Sequence, residues 1–74
     1  MTNDSFELEL AIAQSMSRLE RPRYWLAFKR GLHRAFYGEA AVGESEHSAW
    51  LSMDDSADAD SADRYQGYRD GLNV

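Results

Sequence analysis

Residues 22–38 read PRYWLAFKRGLHRAFYG, and the fold turns on this stretch. Pro22 suits the first turn of a helix, where its missing N–H is no loss and its fixed φ is already helical. On a helical wheel Tyr24, Trp25, Phe28, Leu32, Ala35 and Phe36 fill one arc. Arg23, Arg30 and Arg34 lie together on the other side, with Lys29 and His33 nearer its edge. Gly38 is a natural C-terminal stop. The pattern predicts an amphipathic helix over 22–37 whose aromatic face must be covered by other elements.

Upstream, two periods compete. Phe6, Leu8, Leu10 and Ile12 alternate as in a strand, whereas Leu8, Ile12, Met16 and Leu19 recur at helical spacing. Residue type breaks the tie: Leu, Glu, Ala, Gln and Met are good helix formers, and Ile12 is the one β-branched residue in 6–20. A helix over about residues 5–19 is predicted, with Asn3, Asp4 and Ser5 as N-cap candidates. Downstream, EAAVG (39–43) reads as a connection. A short helix over about 44–53 presents His47, Trp50 and Leu51 on one side. A last helix over about 58–70 can be capped by Ser56, Asp58 or Ser61, with Ala62, Tyr65, Tyr68 and Leu72 as its apolar side. Gly71 followed by Leu72 reads as a C-terminal cap. Gly67 and Gly71, four apart, have the spacing that lets another helix approach closely. The expected fold is all-α, a single compact bundle of three to four helices.

At 74 residues without cysteine, the chain has a thin core that no disulfide or thiolate metal site can brace. Its large apolar side chains argue against disorder, and self-association into a homodimer would add to the core. The acidic N-terminal stretch lacks the basic flank and apolar run of a signal peptide, and no apolar run is long enough to cross a bilayer. A soluble intracellular protein is the simplest expectation.

The net charge of −5 conceals blocks. Residues 1–17 carry Asp4, Glu7 and Glu9 and no cation. Residues 18–34 carry six cations against Glu20. Residues 35–63 carry eight carboxylates and neither lysine nor arginine. Such blocks act on association and steering, not on fold. The densest is DDSADADSAD (54–63). It is no EF-hand loop: Asp58 and Asp60 have the spacing, but residue 62 is alanine, the central glycine is missing and no glutamate follows. Two readings remain, a solvated helix-capping linker and an acidic surface. In the second, Glu44, Glu46, Asp54, Asp55, Asp58, Asp60 and Asp63 occupy a basic groove built for phosphates.

Other chemistries are poorly supported. Glu44-x-x-His47 is one copy of a motif that di-metal bundles use twice, so a metal would need a dimer with Glu39 or Glu9 added. His47 beside Trp50 and Leu51 reads more simply as a half-buried core residue, and no metal or other cofactor is expected. Arg23, Arg30 and Arg34 could contact phosphates, pair with the acidic segment of the same chain, or be a wet helix face. Net negative charge and the lack of a helix-turn-helix pattern make direct nucleic-acid binding an alternative only, that of a small regulatory or DNA-associated accessory protein. A membrane surface is excluded on similar grounds. No thiol nucleophile, strand-to-helix elbow or phosphate loop frames a catalytic site, so no catalytic residue is expected.

The stretches RGLHRAFYGE (30–39), EHSAW (46–50) and RYQGYRDGL (64–72) resemble those of short, uncharacterised proteins of proteobacteria and their phages. In size, acidity and lack of active-site residues the chain also resembles, by type alone, phage-encoded anti-CRISPR inhibitors. That resemblance carries no residue across. It implies a non-enzymatic inhibitor in the cytoplasm of a bacterial host cell. Its partner would be a CRISPR effector complex or other nucleic-acid-binding machinery, engaged where nucleic acid binds.

Overall fold

The computed structural model describes residues 2–55 and 58–74, apart from the Asp55 side chain. The fold is all-α. Four α-helices are described: α1 (Asn3–Ser17), α2 (Pro22–Tyr37), α3 (Glu44–Leu51) and α4 (Ala59–Leu72). Short 3₁₀ turns at Gly38–Ala40 and Ser52–Asp55 flank α3.

α2 is the axis of the fold. Its ends obey the local chemistry: Pro22 opens it, and Gly38 closes it at φ 70°, a conformation glycine reaches without strain. α1 folds back antiparallel through a short turn, so that Phe6 near its start stacks on Phe36 near the end of α2, with ring centroids 4.5 Å apart. The turn ends at Arg21, whose φ of 47° is left-handed and costly for a residue with a Cβ. α3 also runs antiparallel to α2, since Arg30 reaches Glu46 while Arg34 reaches Glu44. α4 runs parallel to α2: Gly67 lies against Tyr24 and Gly71 against Phe28.

The contact between α2 and α4 is the most extensive among the described residues, and it is made backbone to backbone. A Cβ on Gly67 would overlap the Tyr24 carbonyl oxygen, one on Gly71 the Phe28 carbonyl, and one on Gly31 the Tyr68 carbonyl. Glycine in a helix interior costs about 1 kcal/mol relative to alanine. Three are retained here because only a missing side chain lets the two backbones meet. Two apolar clusters flank this seam. Phe6, Ala13, Phe28 and Leu32 join α1 to α2, while Ala27, Val42 and Tyr68 join α2 to the α3 connection and α4. The Trp25 indole N–H is buried without a hydrogen-bond partner among the described residues. The whole is thin, with principal extents of 36 × 30 × 15 Å.

Several expected details shift. α1 begins earlier than expected because Thr2 is its cap, its hydroxyl accepting the Ser5 N–H at 3.1 Å; Asn3, Asp4 and Ser5 fall inside the helix. Its buried side is Phe6, Leu10 and Ala13, whereas Leu8 and Leu19 are 62% and 76% exposed and Ile12 is exposed as well. Both apolar arcs of α1 have helical spacing, and the rings at the end of α2 select the one that carries Phe6. Ala35 is exposed. α3 gives way to a 3₁₀ turn after Leu51. α4 starts from Asp58, whose carboxylate accepts the Ser61 N–H and hydroxyl. Gly71 does not end it; it sits in the last turn, buried against α2. Ser56 lies outside the described residues. No helix among the described residues is long and apolar enough to cross a membrane.

Candidate functional site

The fold lays the acidic segment along the basic helix. Because α4 runs parallel to α2, its first turns come level with the start of α2: Arg21 pairs with Asp63 at 3.0 Å and Arg23 with Asp60 at 3.3 Å. Because α3 runs antiparallel to α2, its carboxylates meet the later arginines: Arg30 pairs with Glu46 at 2.7 Å and Arg34 with Glu44 at 3.2 Å. All three arginines of the expected stripe are therefore matched to carboxylates of the expected acidic surface. Arg21 joins them, its guanidinium lying 4.2 Å from the centre of the Tyr24 ring. The sequence signal for Arg21 was weak, since it precedes the helix and falls off the wheel.

The four pairs differ in kind. Arg30 grips Glu46 through two nitrogens, Nε at 2.9 Å and Nη2 at 2.7 Å, and also donates to the Ala41 carbonyl. Glu46 in turn accepts the Trp50 indole N–H at 3.0 Å. These two bonds, that from Arg30 foremost, hold the Glu46 carboxyl down at about 2, and the same bond pushes the Arg30 guanidinium up. Bidentate, charge-assisted bonds of this kind are the strong ones. Arg34 is largely covered and donates to the Val42 carbonyl at 2.6 Å, while its partner Glu44 stays 66% exposed. Arg21–Asp63 and Arg23–Asp60 are about half-exposed on both sides. Such pairs contribute roughly 0–1 kcal/mol.

The acidic surface thus divides. Glu46 is an internal clasp that ties α3 to α2. Asp60 and Asp63 lie in loose surface pairs, and Glu44 projects outward. Asp54 is exposed and forms no ion pair with the described residues. Asp58 is exposed and tied to α4 as its cap; the Ser61 hydroxyl and backbone N–H hold its carboxyl below the usual carboxylate range. The Asp55 side chain lies outside the described residues. One further carboxylate was not anticipated: Asp70 accepts the Tyr24 hydroxyl at 2.5 Å. Burial first, then this bond, pushes the Tyr24 phenol up to about 12.

Glu44 and His47 do not converge. Glu44 faces Arg34, whereas His47 Nδ1 lies 2.6 Å from the hydroxyl of the fully buried Tyr68. Among the described residues no group of three or more His, Cys, Asp or Glu side chains is placed to hold a metal ion. His47, Trp50 and Tyr68 instead form a packed trio, with the Trp50 and Tyr68 rings stacked 8° from parallel.

No family model, curated protein or solved structure matches this chain. The geometry alone therefore carries the functional reading. It describes a surface of opposed charges on a rigid α2–α4 frame.

Proposed function

We propose that this chain is a non-enzymatic binding protein of the inhibitor type. Its outward carboxylates Glu44, Asp54, Asp58, Asp60 and Asp63 occupy a basic surface on which a host complex otherwise holds nucleic acid; an anti-CRISPR-type role is one instance. The observation that carries the reading is the exposure of these carboxylates along consecutive elements. Asp60 and Asp63 sit in half-exposed pairs that contribute little to stability, so a partner's arginine can replace Arg21 or Arg23 at small cost. Replacing one cation by another keeps each carboxylate neutralised throughout. Steering between the faces speeds encounter and weakens with salt.

The test uses the full chain against purified nucleic-acid-binding complexes of bacterial hosts, with nucleic acid as competitor at rising salt. Expected is binding that nucleic acid displaces and that Asp54→Asn, Asp60→Asn and Asp63→Asn together reduce by at least tenfold, with the helical circular dichroism unchanged. Undiminished binding by the triple variant would sink the proposal, as would turnover of a small molecule by the pure protein. The alternative, direct nucleic-acid contact by Arg23, Arg30 and Arg34, is less well supported because each is already paired with a carboxylate. It predicts a gel shift that Arg23→Gln weakens.

A further inference from the structure

The outer side of α2, turned toward α3 and the start of α4, holds a cavity of about 410 Å³. That is within the range of small-molecule sites, which are typically apolar with a few placed polar groups. Its apolar lining is Leu26, Ala27 and Trp50. Leu26 is 54% exposed, a large aliphatic side chain left open on an otherwise charged side of the helix. Trp50 is a fixed wall: its indole N–H is bonded to Glu46 and its ring is stacked on Tyr68, which is itself fully buried.

The remaining lining is cationic, with Arg23, Lys29, Arg30 and Arg64 around the apolar part. Glu46 neutralises Arg30 and Asp60 neutralises Arg23. Lys29 forms no ion pair with the described residues, while Arg64 lies within electrostatic reach of the Asp58 carboxylate. His33 also lines the cavity. Its Nδ1 lies 2.7 Å from the Lys29 carbonyl. A carbonyl can only accept, so Nδ1 donates and Nε2 remains for another partner. An aromatic wall held by its own hydrogen bond, an open aliphatic side chain, Lys29 without an ion pair among the described residues and Arg64 beside it select one ligand chemistry: a flat apolar ring that carries an acidic group.

We infer that this cavity binds a small aromatic anion, its ring against Trp50 and Leu26 and its phosphate or carboxylate toward Lys29 and Arg64. Two sources share that chemistry, a nucleoside monophosphate and an aryl carboxylate. The cavity borders the outward carboxylates, since its Arg23 pairs with Asp60, but the inference does not use their charge, so its failure leaves the proposed inhibitor surface standing.

The experiment is a titration of the ¹⁵N-labelled chain, in separate arms, with adenosine monophosphate, with indole-3-carboxylate and with neutral adenosine. Expected is a saturable shift of the Trp50 indole N–H and of backbone amides in 23–33 with at least one anion, and a weaker response to adenosine. The anion that binds more tightly identifies the source. Lys29→Ala or Arg64→Ala should weaken binding about tenfold or more, the usual effect of losing one charge-assisted bond. Leu26→Glu, which adds a carboxylate to the wall at an exposed position, should abolish it, and Leu8→Glu on α1 should not. The inference is overturned if neither anion gives a saturable shift, or if Leu26→Glu binds as well as the unaltered chain.

Discussion

Gly67→Ala separates two opposite expectations. Helix propensity alone makes alanine better than glycine by about 1 kcal/mol in a helix interior. The α2–α4 seam reverses the sign. The new Cβ would overlap the Tyr24 carbonyl oxygen, which belongs to the backbone and cannot turn aside. Restoring an ordinary C···O approach of about 3.3 Å requires the helices to part by on the order of 1 Å. A gap of that size forfeits roughly a quarter to a half of each dispersion contact along the seam. Overpacking costs about 1–3 kcal/mol, occasionally more, and rigid backbone on the far side places this site at the upper end. Net destabilisation of about 2 kcal/mol is expected after the propensity gain. A chain of this length has roughly 4–11 kcal/mol in all, and the midpoint should fall by roughly 8–16 °C. Thermal and urea unfolding followed by circular dichroism measure it. Gly43→Ser is the control, because a Cβ at Gly43 meets nothing within 4 Å and serine suits a helix cap. A Gly67→Ala protein as stable as the parent, or more so, would refute the seam.

Other outcomes follow from the same contacts. Glu46 is held at about 2 against an ordinary 4.5, so its contribution is present above pH 4.5 and lost as pH falls through 2. Glu46→Gln should flatten the acid slope of stability and of Trp50 fluorescence in that window, and identical slopes would count against the clasp. Tyr24 is raised from 10.0 to about 12, so its contribution is intact below pH 10 and disappears as pH rises through 12. Tyr24→Phe should make the urea midpoint less sensitive to pH over that range. On α1, Phe6→Ala should cost about 3–5 kcal/mol by opening a cavity against Phe36. Leu8→Ser on the outer arc should stay within about 0.5 kcal/mol. A larger loss at Leu8 than at Phe6 would mean that α1 packs by its other arc.

The helices were legible because their signals are local. Pro22, the aromatic arc and Gly38 bound α2 within the stretch itself, and Asp58 was one of three candidate caps for α4, which the structure selects. What escaped depends on the neighbour. Nothing in α1 ranks Phe6, Leu10 and Ala13 above Leu8 and Ile12; the rings of α2 decide it, and Leu19, expected in the helix, lies beyond its end at Ser17. Gly67 and Gly71 advertised a close approach, but Gly31, their counterpart on α2, completes the seam only once the two helices are seen to run parallel. Charge blocks were plain in the sequence, and pairing of the arginines with the chain's own carboxylates was one of three readings open for the stripe. Which carboxylate meets which arginine follows from helix direction, which composition does not encode. The Leu26–Trp50 cavity joins residues 24 positions apart and had no local signature.

The 15 Å thickness of the molecule has a mechanical consequence. With helix axes about 8–10 Å apart, a plate of this thickness is about two helices deep, and a single layer of side chains separates its broad sides. Pressure from a bound molecule on one side has no deep interior in which to dissipate, and the glycine seam leaves little slack along α2. Occupancy of one broad side should therefore be felt as strain on the reverse, so two visitors on opposite sides would sense each other through the thin wall they share.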